Sequence, residues 1–268
     1  MKRVRQTTAG FMSDSDLGEG ETMHAFSEVR PGVKEPNAVF ADILSQAITG
    51  ELIGMANYAA MVRLYQDAEG QRDALAHAAS EMRHSECFRR AARDIGVAPI
   101  ENPQAPYWHR VRTAFLRHVD AGDRVACVVI QEVMLESFAV SMYHAVADVA
   151  PDGLAKVFRA IGNEEESHVD HAIDELRDVH GADPDAFESK LEDLHFEVMS
   201  TLAEMVAEKG SVGHCGLCRG GCVKSSLVNV GLDRASLRGR ALNQYLRTLD
   251  RIGVRGERSL AWVAGLPA

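Results

Sequence analysis

The sequence predicts an all-α protein: a four-helix bundle with additional helices. Three observations carry this. Apolar residues recur at helical spacing from Ala38 almost to the C-terminus, and no segment alternates with strand period over a useful length. Glycine and proline fall between the periodic stretches rather than inside them. Two phrases, Glu81-Met82-Arg83-His84 and Glu165-Glu166-Ser167-His168, each place a Glu and a His on one helical face.

The elements follow in order. Residues 1–37 are rich in Gly, Ser, Asp, Glu and Thr, and read as a flexible extension. One helical domain is expected over 38–268. Its helices are predicted at 38–67, 71–95, 107–119, 122–149, 152–180, 184–209, 231–253 and 256–265. The breaks are Gly70, Gly96 with Pro99 and Pro103, Gly122, Pro151-Asp152-Gly153, Gly181 with Pro184, and the glycines of 210–221. A cysteine-rich inserted loop covers 210–224.

Composition bounds the function. The chain has 268 residues, enough for a sizeable core, and a formal net charge of −10 with no basic stripe. No nucleic-acid partner is expected. No run of eighteen apolar residues occurs, so no transmembrane segment is expected. The start is basic but leads into Gln6-Thr7-Thr8, unlike a secretory signal. Five cysteines do not make a disulfide scaffold at this length, so a reducing cytoplasm is the expected location.

The paired phrases point to a dinuclear metal centre. Such a centre takes a Glu-x-x-His from each of two helices and a lone Glu from each of the other two. Glu51, thirty residues before Glu81, is the first lone carboxylate. Glu132 and Glu136 both compete to be the second. With a turn at Asp152, Glu136 lies sixteen residues before it and Glu165 thirteen after. For Glu132 the mismatch is seven residues, roughly 10 Å of helix. Register therefore favours Glu136 without deciding the matter. Four carboxylates and two neutral imidazoles balance two divalent cations. Oxygen-rich ligation with one His per metal suits Fe(II) or Mn(II) better than structural zinc. A lone Glu-x-x-His is usually a solvated helix face; the doubled pattern in an apolar setting is not.

These residues carry a resemblance. Gly50-Glu51 with Asn57-Tyr58, then Glu81 to His84, then Ile130-Gln131 through Glu136 to Ser141 with Tyr143-His144, then Glu165 and His168, are similar to the aldehyde-deformylating oxygenases, or long-chain fatty aldehyde decarbonylases. The likeness spans about 40–205 and, more faintly, 231–254. It implies a ferritin-like fold with two Fe ions held by Glu51, Glu81, His84, Glu136, Glu165 and His168. It puts the third carboxylate at Glu136. It implies O₂ as co-substrate, a ferredoxin-type electron donor, and a fatty aldehyde in an apolar tunnel, cleaved to a hydrocarbon and formate. Tyr58, Gln131 and Tyr143 match residues around the family's metals, and Glu164 stands where the family has Asp. A composition rich in Ala, Arg, Asp and Val reads as that of a high-GC bacterium.

Three other readings fit the same ligand set: a di-iron tailoring oxygenase on an amine or natural-product precursor, a ferritin-like storage protein, and a scaffold bundle whose acidic core merely binds metal. The resemblance has no counterpart for His214, Cys215, Cys218 and Cys222. One imidazole and three thiols within nine residues predict a zinc site, against a redox pair, an iron–sulfur centre or a plain flexible loop. Cys87 and Cys127 read as core thiols. Met55, Met61, Met134 and Met142 read first as core, and second as tunnel lining. His77, His109, His118, His144, His171, His180 and His195 read as surface or locally satisfied.

Overall fold

The computed structural model describes residues 34–207 and 214–267; the first 33 residues of the predicted extension and the start of the cysteine loop lie outside them. Among the described residues every regular element is helical. Helix α1 (Pro36–Met61) starts on a proline, whose missing N–H is no loss in the first turn. A single 3-10 turn carries it to Leu64. Helix α2 (Ala68–Asp94) is capped by Asp67, which accepts from the backbone N–H of Gly70 at 2.7 Å. Helix α3 (Pro106–Asp120) crosses α1. Next comes a rod from Arg124 to Ala147, made of α4 (Arg124–Val128), a π-helical stretch (Val129–Leu135) and α5 (Glu136–Ala147). Helix α6 (Asp152–Ala182) returns along it.

A second interrupted rod follows: α7 (Pro184–Leu194), a π stretch (His195–Met199) and α8 (Ser200–Val206). Two 3-10 turns, Val223–Ser225 and Leu227–Val230, lead into α9 (Arg234–Ile252) and α10 (Gly256–Ala264). Gly253 ends α9 at φ 108°, a conformation that a Cβ would strain. The sequence-based boundaries hold to within a few residues throughout. What periodicity did not foretell is the pair of π interruptions, which leave the apolar pattern continuous.

The bundle pairs α1 with α2 and α5 with α6, and α2 touches α6 across the middle. Helix α9 lies over α5 and α6, with α10 against it. Burial falls into two apolar clusters. One holds Ile53, Tyr58, Ala78, Val133 and Val169; the other holds Ile48, Phe88, Tyr143, Phe158 and Ile161. On each of the four bundle rods, the proposed metal ligands fall at the seam between these clusters. The polar residues are thereby walled off from water at both ends.

By length and composition alone, Pro36–Leu64 and Arg124–Ala147 are apolar enough to cross a membrane. This departs from the sequence expectation. In the fold, 61% and 78% of their apolar windows are buried, as core helices of a bundle require.

Candidate metal centre

Four carboxylates meet at the seam. Glu165 is 0% exposed, and Glu51, Glu81 and Glu136 are at most 3% exposed. Their ligand atoms form two overlapping groups with the histidines. Glu51, Glu81, His84 and Glu165 make one; Glu81, Glu136, Glu165 and His168 make the other, each with atoms within 4.8 Å of one another. Glu81 and Glu165 belong to both groups. The four residues of the doubled phrase thus converge with Glu51 and Glu136 on two adjoining groups.

The electrostatics call for cations. Burial first, and then the neighbouring carboxylates, push Glu81 and Glu136 well above the usual range. Burial and the charge of Glu51 raise Glu165 to about 7. Burial works against a charged His84, yet Glu165 and Glu51, at 2.8 and 3.2 Å from its Nδ1, raise it to about 11. Protonated His84 is the counter-cation of the metal-free cage. Glu81 Oε1, both Glu165 oxygens and His168 Nδ1 are buried and make no well-aligned hydrogen bond, although His84 and His168 lie at ion-pair distance from Glu165, 2.8 and 2.9 Å. Buried carboxylates facing one another are costly unless something positive sits between them. Two divalent cations would neutralise the four carboxylates and use each of these donor atoms. The donor set fits the metals.

A surrounding layer fixes the ligands. Tyr143 donates to Glu51, and Tyr58 donates to Glu136 at 3.3 Å. Burial raises both phenols well above their ordinary pKa, so they stay protonated and can only donate to these carboxylates. Gln131 Nε2 donates to Glu136 Oε1 at 2.7 Å. Its own Oε1 accepts from Asn57 at 2.6 Å, and Arg112 holds Asn57. This relay sets which way the Gln131 amide points. Glu164 sits 3.0 Å from His84 Nε2 and 2.6 Å from Arg83. A carboxylate on the outer nitrogen of a ligand histidine orients the ring and fixes its tautomer. Glu164, which stands where the family has Asp, is placed to contact His84 in this way. Arg112 is a residue that sequence reasoning missed; a lone Arg on α3 carries no local signal.

Glu132 is buried but belongs to neither group of the dinuclear cage. It lies one turn away on the same rod and pairs with His171 Nδ1 at 2.9 Å.

A cavity opens onto the cage. Glu51, Glu81, Gln131, Glu136 and Tyr143 line one end of it. Ile43, Ala47, Leu135, Phe138, Met142, Val146 and Phe158 make its apolar walls. Gly50 and Gly54 leave room: a Cβ on Gly54 would stand 3.0 Å from Glu81, and one on Gly50 3.1 Å from the Trp108 ring. Of the four methionines considered as lining, Met142 is on the wall, while Met61 and Met134 are fully buried in the core. The far wall comes from the C-terminal part, including Cys215, Cys222, Val223, Lys224 and Leu237.

The cysteine loop is thus a wall of the cavity as well as a thiol cluster. Cys215 and Cys218 sulfurs are 3.1 Å apart. The Cys218 thiol, hydrogen-bonded to both neighbours, holds Cys215 down to about 6 and Cys222 to about 5, while its own pKa rises. His214 is exposed, and its Nδ1 accepts from the backbone N–H of Gly216 at 3.0 Å. Among the described residues, the groups of three or more donors at metal-binding distance do not include the loop. Cys127 is buried as expected, and Cys87 is half-buried.

A bundle of this kind, with paired Glu-x-x-His helices around a buried carboxylate cage and an apolar cavity, defines a ferritin-like di-iron protein. Residues 35–207 match the long-chain fatty aldehyde decarbonylase family, and the chain belongs to it. It is an enzyme, an aldehyde-cleaving oxygenase of the di-iron kind. Its fold is also that of a solved structure described as a protein with aldehyde deformylating oxidase activity from Synechococcus. The TM-score is 0.73 at 18% identity, over 86% of this chain and 97% of that one. Nothing in these likenesses supports the storage or amine-oxygenating alternatives.

Proposed function

We propose that the chain converts a fatty aldehyde of about twelve to eighteen carbons, held by burial at about 0.8 kcal/mol per CH₂, to a hydrocarbon and formate. The observation that carries this is the apolar cavity ending on Glu51, Glu81 and Glu136. The proposed ligands of two Fe(II) ions are Glu51, Glu81, His84, Glu136, Glu165 and His168. Balance defines the co-reactants. RCHO, O₂, four electrons and four protons give RH, HCOOH and one water. The electrons come from outside, and a small ferredoxin-type protein is the proposed donor. The 214–222 loop is proposed to take zinc through its lowered thiols, and the cytoplasm, which keeps such thiols reduced, is the proposed location.

Two Fe(II) ions in the cage would supply the reducing centre and the O₂-binding surface. The chain's own residues do the rest. The apolar part of the cavity wall takes the alkyl chain out of water and leaves its polar end to the carboxylates in the lining, Glu51, Glu81 and Glu136. Tyr143 and Tyr58 hold Glu51 and Glu136 by donation, so neither carboxylate swings into the cavity. Glu164 keeps the outer nitrogen of His84 protonated and its inner nitrogen free for metal. The two apolar clusters keep bulk water from the cage.

The test supplies iron-loaded full chain with aldehydes of graded length, O₂ and a reduced ferredoxin or chemical reductant. Hydrocarbon is read by gas chromatography and formate is assayed in parallel. Equimolar hydrocarbon and formate are expected. O₂ consumption with every aldehyde tried and no hydrocarbon would overturn the substrate reading.

A further inference from the structure

We propose that His77, Glu132 and His171 form a third, mononuclear metal site one helical turn from the dinuclear cage, taking a first-row divalent cation on two imidazoles and one carboxylate. One atom from each of the three lies within 4.8 Å of the other two. They come from α2, the π stretch and α6, three of the four rods that build the cage.

The register explains the juxtaposition. His77 is four residues before Glu81, Glu132 four before Glu136, and His171 three after His168. Each step is about one turn, roughly 5–6 Å along the axis. Helix α6 passes the cage in the opposite sense to the other two, so all three steps run the same way. The bundle repeats a ligand level directly below the first. The His77 and His168 rings lie 4.6 Å apart, centroid to centroid, and join the two levels.

The simpler reading is an ion pair. His171 Nδ1 at 2.9 Å from Glu132 satisfies a carboxylate that is only 1% exposed. That pairing leaves His77 unexplained. Among the described residues, neither nitrogen of His77 makes a hydrogen bond. The ring is held only by contacts with Tyr58, His168 and His171, at 4.9, 4.6 and 5.2 Å. An imidazole kept beside a buried carboxylate, with its nitrogens unused, is placed as a ligand would be. A cation would engage all three donors, and moving them from within 4.8 Å of one another to metal distance needs only small side-chain rotations.

The chemistry narrows the occupant. Two imidazoles and one carboxylate suit Fe(II), Co(II) or Zn(II), and disfavour Mg(II) and Ca(II), which want oxygen donors. Three protein ligands leave open positions for water. The His171 side chain is 41% exposed, so that side faces solvent. With one carboxylate the loaded site is net positive, unlike the neutral cage beside it.

The test uses the full chain and Co(II). Anomalous diffraction across the cobalt edge should show one peak among His77, Glu132 and His171, besides the two of the cage. Equilibrium dialysis gives a second measurement without crystals. His171→Ala, a change at an exposed position, and Glu132→Gln should each bind about one Co(II) per chain less than the parent. Far-UV circular dichroism checks that each variant is folded. No cobalt peak at the triad while the cage is loaded would overturn the proposal. So would a folded His171→Ala protein that binds as much Co(II) as the parent. An empty cage beside an occupied triad would count against the dinuclear reading alone.

Discussion

Gly54→Ala separates the strength of the fold from the strength of the cage. In the metal-free protein, alanine inside α1 should stabilise the helix by about 1 kcal/mol over glycine. For a chain this long that raises the apo melting temperature by about 2–4 °C. The new methyl would stand 3.0 Å from Glu81 Oε2 and 3.3 Å from Gln131 Nε2. Free of metal, the Glu81 carboxylate can give by the few tenths of an ångström required. With metal bound it cannot, because it belongs to both donor groups. Displacing a ligand's neighbour typically weakens metal binding 10–100-fold. That is about 1.4–2.8 kcal/mol. The two effects therefore carry opposite signs. Calorimetry of apo and iron-loaded protein, with anaerobic Fe(II) titration, reads both. Gly50→Ala is the control: its Cβ would meet the Trp108 ring at 3.1 Å rather than a ligand, so iron affinity should hold. If Gly54→Ala binds iron as the parent does, the cage is not packed as tightly around Glu81 as argued here.

Glu136→Ala should abolish O₂ consumption by the iron-loaded chain, while Glu132→Ala, which can cost only the ion of the His77–Glu132–His171 triad, should keep it; the reverse would exchange their roles. Apo stability should fall as pH rises. Glu165 is raised from 4.5 to about 7, so its contribution is fully present below about 4.5 and lost as pH passes 7; urea midpoints measured from pH 4.5 to 8 test this. Iron loading should reverse that slope, since the ligands must be deprotonated. At Glu188 burial opposes ionisation, but Arg255 and His180 win and hold it near 2, so its contribution is present above about 4.5 and lost as pH falls towards 2. Glu188→Gln should flatten the fall in urea midpoint when the series is extended from pH 4.5 down to 2. The Cys215→Ser/Cys218→Ser variant should lose one zinc and keep its iron; a parent protein without zinc would end that reading.

The helices and four of the six cage residues were legible because both are local patterns, whereas the choice of Glu136 came from the family resemblance. Glu81 with His84, and Glu165 with His168, need only helical spacing to share a face. Asp67, Asp123, Asp183 and Asp233 cap helices within a few residues of the predicted boundaries. The π stretch at 129–135 was hidden because an inserted residue in the hydrogen-bond ladder changes no residue type, and Val128 to Leu135 reads as ordinary buried helix. The Arg112–Asn57–Gln131 relay was hidden because it joins three helices through single polar side chains. The second ligand level was readable in principle, as a repeat of the first at a four-residue offset. His77 and His171 each looked ordinary until the fold brought them to Glu132.

The cavity divides the chain's labour along its length. Every proposed ligand of the dinuclear cage lies between Glu51 and His168, within the span shared with the family. Cys215, Cys222, Val223, Lys224, Leu227 and Leu237, which line the cavity from the C-terminal part, all lie beyond residue 207, where that span ends. Reactivity is thus inherited with one part of the chain, while the choice of guest is written partly in another. Changes after residue 207 can refit the pocket to a new molecule without touching an atom that holds iron. A lineage could swap its substrate many times in this way and leave its catalytic heart untouched.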